Sequence, residues 1–406
     1  MLNQCGAAII PAMVSSDADS RLGRYVETSV AGEVVRAFVP PTLPPRPPID
    51  ISSLLDLLGL AERALGRLDA IAELLPQQEI LLYMFARKEA VLSSQIEGAK
   101  STLSDLLRLE TIAQLGMLDD DIREVSNYVD AMEYGLEQLE SQPFSLRLIR
   151  QLHARLMRSG RGEMKMPGEF RRSQNWIGGW RPSIALFVPP PTSEMESSLK
   201  SFENFMHEKE SKLPLLIKAG LLHVQFETIH PFLDGNGRIG RLFVTLYLCL
   251  SGALRKPLLY LSLYLNKHRA DYFRLLQEVR EYGAWEAWLE FLLTGIAETA
   301  NHAFKAATQI IDLFKADRNS IAAKRSRVIS ASRIHQLLQK HPYLTANLLV
   351  ERTGLSPPTV NAALADLMRL EIVEEVTGRR RGRVFAYSGH LAILSDGIKT
   401  HCPENP

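Results

Sequence analysis

The stretch from His230 to Arg241, with sequence HPFLDGNGRIGR, constrains the fold of this chain more than any other. Gly235 and Gly237 bracket an asparagine, and glycine allows tight turns that direct successive N–H groups into one small concavity. From Gly237 onward the apolar residues have helical periodicity, which predicts a buried helix beginning directly at the glycines. Unpaired N–H groups and the helix dipole favour an anion at such a helix N-terminus. The stretch therefore predicts a phosphate-binding loop.

The charged side chains of this loop suit phosphate chemistry. Arg238 and Arg241 lie three residues apart, so on a helix they share roughly one face and present two forks to the same anion. His230, with an ordinary pKa of about 6.5, can accept a proton from a nucleophile. Asp234 offers the hard oxygen ligand that Mg²⁺ takes together with nucleotide phosphates. Each residue alone fits an ordinary turn, but their combination favours a site for two or three phosphates.

At every specified position this stretch resembles the signature of Fic domains, H-x-F-x-(D/E)-G-N-G-R-x-x-R. Fic proteins are mostly adenylyltransferases, which move AMP from ATP to a Ser, Thr or Tyr hydroxyl of a protein. The resemblance implies a Fic-type helical bundle in which His230 is the catalytic base and Asp234 the Mg²⁺ ligand. The loop residues that it implies in nucleotide binding are Gly235, Asn236, Gly237, Arg238, Ile239, Gly240 and Arg241.

Composition and charge argue against several other classes of protein. The 47 basic and 46 acidic residues leave a formal charge of +1, so any nucleic-acid or membrane partner would need a local patch. The 3 cysteines lie far apart without a CxxC pair, which argues against a disulfide framework or a zinc site. The longest apolar run, 242–250, is far shorter than the ~20 residues of a membrane span. The N-terminus lacks the basic region with which a signal peptide begins, so no signal peptide is expected. A soluble cytoplasmic protein is expected.

Residues 1–50 form a predicted N-terminal arm with a proline-rich tract at 39–48. Prolines at that density favour polyproline II and exclude a helix or a central strand. We expect the arm to pack across its own domain, the alternative being a ligand for a proline-binding module. Residues 51–140 follow as a helical region, in which apolar residues recur at helical spacing over 49–75 and again over 77–94.

The end of the second helix carries a further pattern. Ser93 and Glu97 lie four residues apart on one helical face, and Gly98 is a plausible helix stop. By itself this predicts only a solvated Glu at a helix end. Many Fic proteins, however, carry an inhibitory helix with the pattern (S/T)xxxE(G/N), whose Glu pairs with the second arginine of the loop. The resemblance therefore implies an inhibitory helix at about 77–98 and a pair between Glu97 and Arg241.

Residues 141–300 are predicted to form the catalytic core. Two short β-prone runs, 170–180 and 187–191, predict a small hairpin. In Fic domains such a hairpin is a flap that covers the nucleotide and pairs with an extended target segment, and a later helix lines the adenine. The resemblance implies nucleotide contacts from both elements, although aromatics at helical spacing are more often core. The residues concerned are Ile177, Gly178, Gly179 and Trp180 in the flap, and Tyr272 and Phe273 in the helix.

A helical linker at 301–327 is predicted to precede a separate domain at 328–395. Helices at 334–339, 345–353 and 357–370, the last capped by Ser356, are followed by strands at 372–376 and 383–387. Helix-turn-helix plus hairpin predicts a winged helix. Its basic wing, Arg379 to Arg381, suits a phosphate backbone. DNA binding and a protein-interaction or dimer module both stay open.

These features together predict a mainly α protein with a small β-hairpin flap and a C-terminal winged helix. We expect a protein adenylyltransferase that uses ATP and Mg²⁺, is inhibited by Glu97 and modifies a hydroxyl-bearing protein, with itself as one candidate target. No membrane partner is expected, and a homodimer stays open. The alternatives are removal of AMP by water at the same site, a different phosphate-containing donor, and a nucleotide-sensing DNA-binding regulator.

Overall fold

The computed structural model describes residues 21–30, 32–73, 78–112, 120–208, 212–324, 327–379 and 382–397. The predicted mainly helical fold is confirmed. The N-terminal region holds β1 (Arg24–Val30), β2 (Glu33–Val39), α1 (Leu55–Glu73), α2 (Gln78–Ile96), α3 (Leu103–Ile112) and α4 (Asp120–Leu139). The central region holds α5 (Leu146–Leu156), α6 (Thr192–His207), α7 (Leu215–Ile229), α8 (Asn236–Leu250), α9 (Ser262–Lys267), α10 (Arg269–Tyr282) and α11 (Trp285–Ala322).

The two helices that flank the loop lie at the centre of the core. Helix α7 is buried on every side, in keeping with its almost wholly apolar first two turns, and it packs on α6, α8, α10 and α11. Helix α8 is buried over most of its length and also packs on α4 and α5. The loop between them is therefore anchored at both ends in the best-packed part of the molecule. Among the described helices, none combines the length and the apolar character that a membrane span requires.

Helix α11 runs through the predicted boundary between the catalytic core and the helical linker. It is one helix of 38 residues, Trp285–Ala322, so the predicted domain boundary at 300 falls inside it. It packs along α1, and small buried residues on both helices, such as Ala61 and Ala303, allow their backbones to approach closely. Tertiary packing of this long buried stripe keeps the helix continuous across that boundary.

The arm contains a hairpin that the proline content did not predict. Strands β1 and β2 pair antiparallel from Arg24 opposite Val39 to Val30 opposite Glu33, upstream of the densest prolines. The N–H of Phe38 donates to the carbonyl of Val188 at 2.9 Å, so the described part of the arm packs against the flap. Residues 1–20 of the predicted arm lie outside the described residues.

The predicted flap hairpin is wrong in its extent. A single antiparallel bridge joins Ile177 and Phe187, with N–H···O distances of 2.8 and 3.1 Å. The segment between them cannot continue the ladder, because Gly178 and Gly179 have φ of 71° and 74° and a short 3₁₀ turn begins at Pro182. The flap is therefore an irregular loop closed by one bridge.

The C-terminal domain is the predicted winged helix with additional elements. It comprises α12 (Val328–Lys340), β3 (Tyr343–Thr345), α13 (Ala346–Thr353), α14 (Pro357–Arg369), β4 (Glu374–Glu375), β5 (Val384–Ala386) and α15 (Ser388–Ser395). The sheet order is β3-β5-β4, and Ser356 caps α14 as predicted, its Oγ accepting from the N–H of Thr359 at 3.4 Å. Strand β3 and helix α15 were not predicted. Arg380 and Arg381 of the wing lie outside the described residues.

The winged helix packs directly on α2 and α3. Lys88 of α2 is buried, and its Nζ donates to the carbonyl of Asp396 at 2.7 Å. The rings of Tyr83 and His341 meet edge to face with centroids 5.8 Å apart. The helix that carries Glu97 at its end therefore also forms part of the interdomain contact.

Candidate active site

The loop has the backbone that its glycines and asparagine predict. His230 ends α7 in the left-handed region at φ 49°, and Gly235 precedes α8 at φ 77°. The side chain of Asn236 closes the turn, because its Oδ1 accepts from the N–H of Phe232 and its Nδ2 donates to the carbonyl of Phe232, both at 2.9 Å. This side chain holds the loop in shape, which leaves the backbone N–H groups at the start of α8 to meet an anion.

A histidine that the sequence did not indicate supports the loop from below. The ring of His153 stacks on that of Phe232 with centroids 3.7 Å apart. Its Nδ1 accepts from the N–H of Gly168 at 2.8 Å, so Nε2 carries the proton and donates to the carbonyl of Asp234 at 3.0 Å. Burial lowers the pKa of His153 to about 4 and keeps this tautomer neutral. In the sequence it is only one more His on the apolar face of a helix.

Arg171 and Asn175 support the loop from the flap side. Arg171 is almost fully buried, and its Nε donates to the carbonyl of His230 at 3.0 Å while its backbone N–H donates to Pro231 at 2.8 Å. Asn175 Nδ2 donates to the carbonyl of Phe232 at 2.9 Å. Both residues lie in a run that was predicted only as a strand, and the structure assigns them to the base of the loop.

The imidazole of His230 is in the protonation state that a base requires. Burial lowers its pKa to about 3, with the nearby charge of Arg280 as the second cause, so it is neutral at pH 7. Its Nδ1 lies 3.4 Å from the carbonyl of Glu227. Since a carbonyl can only accept, Nδ1 bears the proton and the lone pair of Nε2 is free to take another.

The predicted contact between Glu97 and Arg241 is present. Arg241 Nη2 lies 2.7 Å from Glu97 Oε1, and the guanidinium also donates to Oγ and the carbonyl of Ser93, at 2.9 and 3.0 Å. Burial opposes ionisation of Glu97, but the charge and hydrogen bond of Arg241 outweigh it and hold the pKa of this carboxyl below its ordinary value. Gly98, at φ 98°, ends the helix as predicted.

The carboxylate of Glu97 also lies over the start of α8. A β-carbon on Gly237 would lie 2.3 Å from Glu97 Oε1 and 3.0 Å from Arg241 Nη1, so only glycine leaves room for the carboxylate here. The position is the second residue of a helix, where backbone dipoles attract negative charge. An internal anion therefore occupies the place that the sequence predicts for phosphate.

The other loop arginine has a carboxylate partner that the sequence did not indicate. Arg238 Nη1 lies 3.1 Å from Oε2 of Glu124 on α4, and both side chains are buried. Glu124 in turn accepts from Arg161 at 2.8 Å. Helix periodicity places Glu124 near the predicted apolar face of its helix, but no local pattern pairs it with a residue more than a hundred positions later.

Asp234, the predicted Mg²⁺ ligand, has a carboxylate that is open to solvent beside the loop. Its side chain is 45% exposed, its Oδ1 accepts from the N–H of Gly235 at 2.6 Å, and Arg238 Nη2 lies 3.9 Å away. One open carboxylate fits Mg²⁺ held largely by nucleotide oxygens and water. Within the described part of the chain, no cluster of three His, Cys, Asp or Glu residues could hold a metal alone.

The aromatic and helical positions predicted to contact nucleotide differ in exposure. Tyr272 is buried and its hydroxyl bonds to His223 Nε2 at 2.9 Å, so it packs beneath Arg241 instead of lining an open pocket. Phe273 is 41% exposed, and Trp180 in the flap is 78% exposed. Ile239 is a core side chain, and Gly240 accepts from His223 at 3.2 Å through its carbonyl. Ile177 is engaged in the flap bridge.

Comparison with protein families agrees with this architecture. Residues 55–137 match the Fic/DOC family N-terminal model, residues 143–248 the Fic/DOC family model, and residues 330–374 a winged helix-turn-helix DNA-binding model. The chain thus contains Fic N-terminal and Fic domains followed by a winged helix-turn-helix domain.

Similar proteins point the same way. The chain is 32% identical over 176 residues to protein adenylyltransferase Fic of Drosophila grimshawi, covering 41% of this chain and 35% of that protein. It is 31% identical over 207 residues to the protein of the same name in Aedes aegypti, covering 48% and 38%. The chain therefore spans just over a third of these relatives. A crystal structure of a Fic family protein from Desulfovibrio desulfuricans shares the fold, with TM-score 0.52, 22% identity, and coverage of 82% and 95%.

Proposed function

We propose that this protein is an ATP-dependent protein adenylyltransferase that is held inactive by Glu97. The observation that carries the proposal is the position of the Glu97 carboxylate, which binds Arg241 and lies against Gly237 at the start of α8. A site that satisfies an internal carboxylate with a guanidinium and a helix N-terminus is suited to a polyphosphate. The relatives named protein adenylyltransferase support the same assignment.

In this mechanism the loop binds the phosphates and His230 removes a proton. The N–H groups at the start of α8 and the two arginines hold the polyphosphate, leaving the α-phosphate near the imidazole. Nε2 of His230 takes the proton of a protein hydroxyl, the oxygen attacks the α-phosphate, and pyrophosphate leaves. Positioning and charge stabilisation supply most of the rate increase. Mg²⁺, when bound through Asp234 and phosphate oxygens, would neutralise charge on the leaving group.

The decisive experiment uses ATP labelled in the α-phosphate with the Glu97→Gly protein, its own chain and a cell lysate serving as targets. We expect protein labelling, and none with ATP labelled in the γ-phosphate, because AMP and not phosphate is transferred. Adding His230→Ala should preserve ATP binding but lower transfer by roughly two to four decades, since the base is lost. Equal labelling with and without His230 would contradict the assignment of the base.

The role of Asp234 is tested in the same background. Asp234→Ala should slow transfer and flatten its dependence on Mg²⁺ concentration, because the carboxylate would hold the metal beside the phosphates. Asp271→Ala is a matched control, since Asp271 is an exposed residue paired with Arg274 on α10. An unchanged Mg²⁺ titration in Asp234→Ala would remove this residue from the metal site.

The winged helix supports a second function, binding to DNA. It matches a DNA-binding family model. Arg383 of the wing donates to Asn361 of α14 at 3.2 Å, so the wing and this helix are joined by a polar contact. Neutralising the three wing arginines at 379–381 should flatten the salt dependence of DNA binding, by about one unit of slope for each lost phosphate contact. Absence of DNA binding at low salt would favour a protein-contact module.

A further inference from the structure

Arg238 is held by an acidic side chain that plays no part in the mechanism above. Glu124 Oε2 accepts from Arg238 Nη1 at 3.1 Å. Glu124 has a second partner, because Arg161 donates a hydrogen bond to each of its carboxylate oxygens, at 2.8 and 3.3 Å. Arg161 also bonds Asp121 at 2.8 Å. Glu124 therefore lies at the centre of a network that has one end in the loop and the other at the surface of α4.

This network leaves part of the Arg238 guanidinium for a ligand. The side chain is only 5% exposed, and among the described residues its Nε has no acceptor. Nη2 has a sulfur contact with Met157 at 3.5 Å and a distant contact with Asp234 at 3.9 Å. Buried N–H groups without partners are rare in folded proteins. The charge of Arg238 also helps to lower the pKa of Glu97, so it acts on the place where that carboxylate lies.

We propose that Glu124 is a positioning residue, which fixes the guanidinium of Arg238 so that its remaining N–H groups meet the polyphosphate of ATP. The proposal rests on the function proposed above and extends it to a residue outside the loop. Glu124 lies inside α4, one residue before the fully buried Val125, and α4 packs on both α5 and α8. Its carboxylate is therefore held by its bonds to Arg161 and Arg238, on a helix that packs against the helix following the loop.

The test compares variants in the Glu97→Gly background, measuring ATP affinity by isothermal titration and kcat with labelled ATP. Glu124→Ala frees Arg238 and should lower kcat about a hundredfold, the scale expected for a misplacement of about an ångström, and weaken ATP binding severalfold. Glu124→Gln keeps an oxygen that can accept from Arg238 and should stay within a few-fold of the parent. If only charge mattered, both variants would change equally, and that result would overturn the proposal.

A double variant separates positioning from general damage to the fold. Glu124→Ala combined with Arg238→Ala should be no slower than Arg238→Ala alone, because the first change then has nothing left to misplace. Additive losses would assign Glu124 a merely structural role and refute the proposal. Arg161→Met is the matched control: it removes the other partner of Glu124, leaves the bond to Arg238, and should keep kcat within about twofold, whereas a loss as large as that of Glu124→Ala would overturn the assignment.

Failure of the proposed function has a different signature. If the Glu97→Gly protein binds ATP but transfers no AMP to any target, the adenylyltransferase assignment fails. The titration still decides the role of Glu124, because weaker ATP binding in Glu124→Ala than in Glu124→Gln supports it and equal affinities refute it.

Discussion

Two arginine–carboxylate pairs meet at the start of α8, and they differ in what surrounds the carboxylate. The arginines are alike, with side chains 2% exposed in Arg241 and 5% in Arg238. Glu97 follows the last residue of α2, has a side chain 39% exposed and binds one arginine. Glu124 lies within α4, has a side chain 8% exposed and binds two. The carboxylate of Glu97 is therefore partly open to solvent, whereas that of Glu124 is enclosed between two arginines.

The difference follows from the cost of leaving a charge unpaired in the interior. Removing one partner of a buried ion pair is strongly destabilising, because it leaves an uncompensated buried charge. An anion that enters as the carboxylate leaves keeps the charge of the arginine compensated. In the proposed mechanism phosphate takes the place of the partly exposed Glu97, since it brings equivalent charge to Arg241. At Glu124 the loss would leave the buried Arg238 without its buried carboxylate partner, whereas Arg161 is exposed and would keep its bond to Asp121. In the proposed mechanism the same loop would therefore combine a regulated arginine, Arg241, with one that is held in position, Arg238.

The largest expected effect concerns the pair between Glu97 and Arg241. Glu97→Gly should raise AMP transfer about a hundredfold, because it frees Arg241 and opens the place beside Gly237 to phosphate. Arg241→Ala should not activate, since it removes the anchor of the inhibitor and a phosphate ligand together. The double variant should be no faster than Arg241→Ala. Rates of AMP incorporation for the four proteins decide this, and unchanged activity in Glu97→Gly would return Glu97 to an ordinary helix end.

A smaller effect is expected at Ser93, which helps hold Arg241 in the closed arrangement. Ser93→Ala removes the 2.9 Å bond from Arg241 Nε to the hydroxyl. A loss of roughly 1 kcal/mol from the closed state corresponds to about a fivefold faster wild-type reaction. Ser94→Ala is the control, because the hydroxyl of Ser94 has no partner among the described residues. The gain should disappear in the Glu97→Gly background, and its persistence there would show that Ser93 acts elsewhere.

The contact between α2 and the winged helix should have a weaker effect on the same pair. Lys340 of α12 lies 3.5 Å from Glu79 at the start of α2, and both side chains are exposed. Reversing either charge should raise wild-type transfer about twofold, since an exposed ion pair contributes only ~0.2–1 kcal/mol. Reversing both restores the pair and should restore the wild-type rate. If the double variant transferred AMP faster than either single variant, the ion pair between the winged helix and α2 would have no control over the reaction.

The smallest effect is expected from lowering the pH, which should leave the inhibition by Glu97 unchanged down to about pH 5. Because Arg241 holds the pKa of Glu97 below its ordinary value of 4.5, the carboxylate stays charged until the pH falls below that value. A depressed carboxyl pKa means that the interaction is present at higher pH and is lost only as pH falls through the lowered value. The ratio of Glu97→Gly to wild-type rates should therefore stay constant between pH 8 and 5. Burial lowers the pKa of His230 to about 3, and loss of the Glu97 charge would lower it further, so His230 stays neutral in both proteins over this range. A ratio falling towards one would contradict the pairing.

The elements of the active site that depend on adjacent residues were predictable. The glycine turn around Asn236 and the helix that starts there follow from local conformational preferences, whereas the left-handed conformation of His230 at the end of α7 was not predicted. The helices of the winged helix were equally clear, because capping residues and apolar periodicity mark their ends. The flap was predicted less well. Its β-prone residues indicated two paired strands, but Gly178, Gly179 and Pro182 interrupt the pairing.

Prediction of a distant contact required a second motif. Glu97 and Arg241 could be paired in advance because each belongs to a recognisable pattern. Glu124, His153 and Arg171 belong to none, although each is bonded to the loop or to one of its side chains. The proline content of the arm similarly gave no sign of the β1–β2 hairpin, which starts before the tract and is completed by contact with Val188.

The sequence by itself determined the residue types of the candidate site: a histidine, an aspartate and two arginines spaced around a glycine turn at the start of a helix. Those features depend on side-chain type and short-range geometry, which the sequence specifies directly. The tertiary structure decided which carboxylate faces each arginine and how firmly it is held. Burial and helix packing set the cost of moving Glu97 or Glu124, and that cost arises only when helices far apart in the chain come together.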